Sequence, residues 1–250
     1  MRKPQYSPSR LHVYQTCPRQ YHYQYVRKLP RRAWANQSFG TSLHRTLQVL
    51  HEQGGPAARP LEEAQAQLER SWTGAGYDSH EHEVAELARG KDLLAAYYRT
   101  WSETQSIPLL LEKRLSAPYQ GITLLGIVDR VDRRFDGSLE IIDYKSGHAP
   151  AEIRPHTLQQ LGIYHYLIGE KLRETVQHHT VHYLASNVRL SLSLGAAHIE
   201  EILEGVRKTV ERLEADQRFI PRVAGHCLHC DYLRYCDAGR DFAAQAAEQP

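Results

Sequence analysis

One segment restricts the fold of this chain more than any other: GIVDRVDRRFDGSLEIIDYKSG, residues 126–147. Two apolar runs flank Asp136-Gly137, so the segment reads as a β-hairpin. Loop length then decides everything else. A two-residue Asp-Gly turn pairs Asp129 with Tyr144 and sets Leu125, Ile127 and Val131 against the wrong face of the partner strand. A three-residue loop, Phe135-Asp136-Gly137 with Gly137 left-handed, pairs Arg134 with Ser138 and Val131 with Ile141. Because a one-residue slip inverts both faces, the apolar partners select the odd loop. Asp129 then lies opposite Asp143, and Ile127 opposite Lys145.

That register has a chemical consequence. Opposed residues on paired strands have Cβ atoms roughly 4.5–5.5 Å apart, and two carboxylates so close repel unless a cation lies between them. Oxygen ligands of this kind suit Mg²⁺ or Mn²⁺. Asp143 and Lys145 share a strand face, since side chains alternate with period two. A lysine there can orient an attacking water or steady charge developing on a phosphate. The plainer alternative is an exposed sheet face carrying an Asp–Lys ion pair. His44, one helical turn after Gly40, can add a third ligand, although a lone helical histidine is more often a packing residue. Glu112 is a possible further carboxylate, but it reads more naturally as a solvated strand end.

Around the hairpin the chain reads as helices, strands, then helices again. A helix begins near Ser7 or Ser9 and is interrupted at Pro18, which follows Cys17. Helices are expected at 38–52, 61–72 and 80–104, the last two forming an insertion of about 55–105. Strands are expected at 109–118, 122–132 and 138–145. A helix follows at 155–170, then a hairpin of 178–185 with 188–194, then a helix at 197–218 with Ile199, Leu203, Val206, Val210 and Leu213 on one face. The tail from Pro221 reads as turns. The expectation is one domain: a basic segment 1–37, a mixed α/β core 38–220 and a cysteine-bearing tail 221–250.

Charge is uneven. Residues 1–51 hold nine Lys/Arg and no Asp or Glu, whereas the rest hold 22 against 29. A basic first third points to a polyanion partner or to a solvated face. Tyr6, Tyr14, Tyr21, Tyr23 and Tyr25 alternate there with Arg10, Arg19, Arg27 and Lys28; their rings could stack on unpaired bases or pack inward. No apolar run approaches the length of a membrane span. The N-terminus lacks an apolar signal core, so a cytoplasmic chain is expected. In that compartment the four cysteines, Cys17 and Cys227-x2-Cys230-x5-Cys236, suggest a metal or cluster site rather than disulfides.

Taken in order, Gly40-x-x-x-His44, Gly126-Ile-Val-Asp129-Arg, Asp143-Tyr-Lys145 and Gln160-x-x-x-Tyr164 resemble the RecB-type branch of the PD-(D/E)xK nuclease superfamily. The resemblance implies a restriction-endonuclease-like fold, with a central mixed sheet flanked by helices. It implies that His44, Asp129 and Asp143, helped by the Tyr144 carbonyl, bind the divalent metal. Lys145 would be the catalytic lysine, and Gln160 and Tyr164 would line the DNA side. The cysteine pattern is similar to iron–sulfur members of this branch, such as the AddB nuclease domain and the CRISPR-associated nuclease that trims new spacers. It implies a [4Fe–4S] cluster on Cys17, Cys227, Cys230 and Cys236; four thiolates also suit structural Zn²⁺, and His226 and His229 keep that alternative open. The expected activity is hydrolysis of DNA, on single strands or at ends. The rival expectation is a DNA-binding subunit that is idle without a helicase or integrase-type partner.

Overall fold

The computed structural model describes residues 4–101 and 106–248. The ends of the expected helix 80–104 and of the expected tail 221–250, and the first residues of the basic segment, lie outside the described residues. A short strand β1 (Gln5–Tyr6) is followed by α1 (Pro8–Thr16) and the single turn α2 (Pro18–Tyr21). Ser7 caps α1 by accepting from the Arg10 N–H, and Pro8 opens it, as its sequence requires. A π-helical turn (His22–Val26) leads out of α2. Then come α3 (Ala35–Glu52), α4 (Leu61–Arg70) and α5 (His80–Trp101). Strands β2 (Ser106–Tyr119), β3 (Ile122–Arg134) and β4 (Leu139–Lys145) follow without interruption. The chain closes with α6 (Pro155–Leu172), β5 (Val176–Tyr183), β6 (Val188–Leu192), α7 (Ala196–Ala215), two 3₁₀ turns and α8 (Asp237–Ala247). The fold is a mixed sheet flanked by helices, as expected. The tail carries a helix, α8, where turns were expected, and β1 was not anticipated.

The central hairpin has the odd loop. Arg134 N–H donates to Ser138 O at 2.9 Å, Gly137 has φ +84°, and Val131 pairs with Ile141. Six strands among the described residues run in the order β1-β3-β4-β5-β6, with β2 also on β3. β2 occupies one edge of β3 along nearly all its length. The other edge is divided. β1 pairs in parallel at Thr123 and Leu124, and β4 pairs antiparallel at Arg130 to Arg133. Between them, residues 125–129 have no strand partner on that side. This opening in the sheet positions the site described below.

Helices cover both faces. α6, α7 and α1 bury Leu124, Val128, Val131, Ile141 and Val181 on one side. On the other, α3 and α5 meet Ile142, Tyr144 and Leu184. β4 is therefore buried on both faces, which is why its sequence is almost wholly apolar apart from its acids and lysine. Burying that much apolar surface supplies the main driving force for the fold.

Beneath the sheet opening sits a buried cation. Arg130 is 1% exposed, and its Nε donates to Asp132 Oδ1 at 2.5 Å. Its Nη1 donates to His51 Nε2 at 2.8 Å and faces the Tyr97 and Tyr144 hydroxyls; its guanidinium stacks on Trp101 at 4.7 Å. Burial, together with the Arg130 charge, pushes His51 down to about 2, so the imidazole is neutral and can accept that bond. Removing the carboxylate leaves a buried guanidinium without its counter-charge. Asp132→Ala is expected to cost about 3–5 kcal/mol in urea denaturation, whereas a surface change such as Glu62→Ala leaves the midpoint within experimental scatter.

Candidate active site

Three side chains from three elements converge at the sheet opening. His44 of α3 brings Nδ1 to 3.2 Å from Glu112 Oε1 and 3.5 Å from Asp129 Oδ2. One ligand atom of each residue lies within 4.8 Å of the other two, close enough to hold a metal ion. The far nitrogen, Nε2, donates to the Tyr144 carbonyl at 3.1 Å. That bond orients the ring so that Nδ1 faces the carboxylates. The Tyr144 carbonyl, expected to help bind the metal, thus accepts from His44 on the side of the imidazole away from the carboxylates. Asp129 in turn accepts from the Tyr144 N–H at 2.8 Å, bridging β3 and β4 where their ladder has ended.

Glu112 corrects an expectation. It is no solvated strand end, because β2 begins at Ser106 and carries Glu112 opposite Asp129. The ladder skips this pair, and Glu112 has φ +43°, a region that costs a residue with a side chain of order 1–3 kcal/mol. The alternation of faces along β3 breaks at the same level: Val128 joins the α6-side core while Arg130 reaches His51 on the other. Local distortions of this kind re-aim side chains beside functional sites. The clue was available in the sequence. A two-residue turn at Gln120-Gly121 sets Tyr119 opposite Ile122, and counting back sets Glu112 opposite Asp129.

Asp143 and Lys145 form the second half of the site. Lys145 Nζ lies 2.8 Å from Asp143 Oδ2 and donates to Gln160 Oε1 at 3.0 Å. Gln160 Nε2 faces Asp143 Oδ1 and the Tyr164 hydroxyl, both at 2.9 Å. Gln160 thus ties the acid to the lysine, and the Tyr164 ring lies over Gly126, where an added Cβ would approach to 2.6 Å. At Gly40, by contrast, a Cβ would meet only Ser146 Oγ at 3.6 Å, so no close approach needs that glycine. Burial raises the Asp143 carboxyl to about 6, with Asp129 adding and Lys145 opposing. Asp143 is 1% exposed and is not among the three mutually close ligands.

The comparisons with known proteins bear on this arrangement. A family model for the PD-(D/E)XK nuclease superfamily matches residues 5–237. The chain belongs to that superfamily. No curated protein matches the sequence significantly. Among solved structures, a protein from Eubacterium rectale titled a "putative exonuclease" is similar over 94% of this chain and 86% of its own, with 10% identity and a TM-score of 0.55. The structure of SSO0001 is matched over 96% of this chain and 88% of its own, with 14% identity and a TM-score of 0.45.

PD-(D/E)XK nucleases use divalent metals, and the donor set of this member fits one. Burial alone would lower the His44 pKa, but the Asp129 and Glu112 carboxylates outweigh it and carry it up to about 10. The same negative potential that binds this proton attracts a hard cation. Two carboxylates and one imidazole are the donor types that such ions accept.

The other expected residues fare differently in this PD-(D/E)XK chain. Arg10 is half-buried and already engaged: it donates to Tyr21 OH and Gln5 O and lies over the rings of Tyr6, Tyr21 and Tyr25 at 5.1–5.4 Å. The Arg19 side chain makes no hydrogen bond or ion pair among the described residues. Tyr6, Tyr14, Tyr21 and Tyr23 are buried, so these rings pack inward and do not offer stacking surfaces to bases. All four cysteines are free thiols, Cys17 and Cys227 buried and Cys230 and Cys236 half-buried. No three described cysteines are spaced to share one metal ion. Among the described residues no helix is long and apolar enough to cross a membrane.

Two outcomes are expected. Glu112→Gln and Asp129→Asn each weaken Mn²⁺ binding in calorimetry, without lowering the melting temperature enough to indicate unfolding. In metal-free protein, the stabilisation from a raised His44 is complete below its ordinary value of about 6.5 and lost as pH climbs toward 10. The melting temperature of the wild type should therefore fall more steeply across that window than that of His44→Gln.

Proposed function

We propose that this protein is a divalent-metal-dependent deoxyribonuclease of the RecB-like branch, acting on single strands or ends. The observation that carries the reading is the convergence of His44, Glu112 and Asp129 beside the Asp143–Lys145 pair. His44, Glu112 and Asp129 would hold Mg²⁺ or Mn²⁺, with Asp143 the adjoining carboxylate. Such an ion supplies Lewis-acid polarisation of a phosphoryl oxygen and an acidified water.

The protein's own groups do the rest. Lys145 is half-exposed at the opening, and its ammonium can meet a non-bridging phosphate oxygen as charge accumulates there. The Asp143 carboxylate nearby holds the lysine's proton in place; its negative charge raises the Lys145 value against the effect of burial. Gln160 keeps both groups aimed, and Tyr144 keeps His44 turned toward the carboxylates. Clefts of about 430 and 700 Å³ flank Lys145.

The same reading extends to the cysteines: Cys17, Cys227, Cys230 and Cys236 would hold a [4Fe–4S] cluster. Support comes from the packing of the tail onto the N-terminal segment, where Tyr23 OH donates to Tyr235 O at 2.6 Å and Arg31 Nε lies 3.2 Å from Asp231 Oδ2. Burial pushes the Cys230 thiol up, and Cys17 and Cys227 lie close enough to add to the effect.

Lys145→Ala and Asp143→Ala are each expected to reduce Mn²⁺-dependent cleavage of a labelled oligonucleotide by about 10³-fold or more, by analogy with loss of a key charged group, while the circular dichroism spectrum is retained. Native rates in both variants would refute the assignment. Anaerobically purified protein should show iron, a visible charge-transfer band and little zinc; Cys230→Ser should lose the iron. Zinc without iron would overturn the cluster.

A further inference from the structure

The two clefts that flank Lys145 differ in chemistry. The larger contains His44 and Glu112 and belongs to the metal site. The smaller, about 430 Å³, is lined by Ser9, His12, Lys145, His156, Gln160 and Tyr164 among others, and no carboxylate lines it. Its polar wall consists of groups that can donate a proton to an anion.

His12 and His156 stand out within it. Their rings lie 4.4 Å apart, tilted by 32°. They come from α1 and α6, elements that are far apart in sequence and packed together at this corner. His12 is exposed and His156 half-buried. Neither imidazole has a hydrogen bond or an acidic partner among the described residues. The chain's buried histidines differ. His51 accepts from Arg130, His179 bonds His165, and His182 bonds Asn187. Burial lowers both His12 and His156, and the Lys145 charge lowers them further. Each ring carries at least one N–H that can donate.

We propose that His12 and His156 form a subsite for the backbone phosphate adjacent to the one that is cut. The inference rests on the nuclease reading above. A DNA strand crossing the sheet opening at Lys145 presents one phosphate to the metal side and its neighbour to the smaller cleft. There the two imidazole N–H groups donate to the non-bridging oxygens. Held at two successive phosphates, the strand has a fixed register, and the scissile bond is chosen by position and not by base identity.

The test uses oligonucleotides in which one phosphate at a time is replaced by an uncharged methylphosphonate. Binding of labelled single-stranded DNA is followed by fluorescence anisotropy in EDTA, and cleavage is followed with Mn²⁺. His12→Ala/His156→Ala, which removes both donors, should weaken binding about tenfold or more, the worth of hydrogen bonds to a charged group, and raise KM with little change in kcat. One methylphosphonate next to the cleavage site should weaken wild-type binding similarly. Combining it with the double variant should bring no further loss, because both changes remove the same contact. Independent addition of the two effects would overturn the subsite, as would wild-type affinity in the double variant. A wild-type chain that cuts no DNA would instead overturn the nuclease reading itself. His156→Glu should bind more weakly than His156→Gln, since it places a like charge against the phosphate.

Discussion

The division of one edge of β3 between two strands underlies most of this molecule. β1 takes Thr123 and Leu124, β4 takes Arg130 to Arg133, and the residues between have no ladder partner on that side. Unpaired backbone groups inside a protein are costly, so the opening must be furnished with other partners. Asp129 provides one by accepting from the Tyr144 N–H. The carboxylate thereby closes the gap and is fixed in position beside His44 and Glu112.

The surroundings of that opening are stiff. Arg130, one residue along, is buried with Asp132, His51, two tyrosines and Trp101. The Tyr144 hydroxyl belongs to this network while its carbonyl orients His44. A single residue of β4 therefore links a buried ion pair on one side of the sheet to the histidine of the His44–Glu112–Asp129 triad. On the opposite face, Gln160 performs a similar service for Asp143 and Lys145. Such second partners preorganise charged groups, which is where the electrostatic advantage of a site comes from.

The N-terminal third has a different role from the one its composition suggests. Tyr6, Tyr14, Tyr21 and Tyr23 are buried and Arg10 is half-buried, with Tyr6 bonded to Glu214 and Tyr14 to Asp216 of the α7 region. These contacts, and those of Tyr23 and Arg31 with the tail, fasten the first segment to the last across nearly the whole chain. Ser7, Pro8, Ser9 and His12, at the start of this segment, line the smaller cleft beside Lys145. A basic and aromatic stretch is ambiguous in sequence because cation–π packing and nucleic-acid stacking use the same side chains.

What the sequence by itself determined was local and periodic. The alternation of Val131 and Ile141 admitted only an odd hairpin loop; the expected pairs Asp129–Asp143 and Ile127–Lys145 are not formed, because the ladder stops at Arg130 and Ile142. The apolar spacing of α3 and α7 marked their buried stripes, and Gly137 marked its turn. The tertiary structure decided which of these neighbours share a ligand position. Pairing β2 with β3, distorting the strand at Glu112 and ending the β3–β4 ladder early brought Glu112 to His44 and left Asp143 with Lys145 and Gln160. The two-residue strand β1 has no periodicity to betray it. The meeting of His12 with His156 depends on how α1 packs against α6. Sequence spacing encodes which face a side chain takes; the breaks in a ladder, and the docking of distant helices, depend on the sum of contacts over the whole chain.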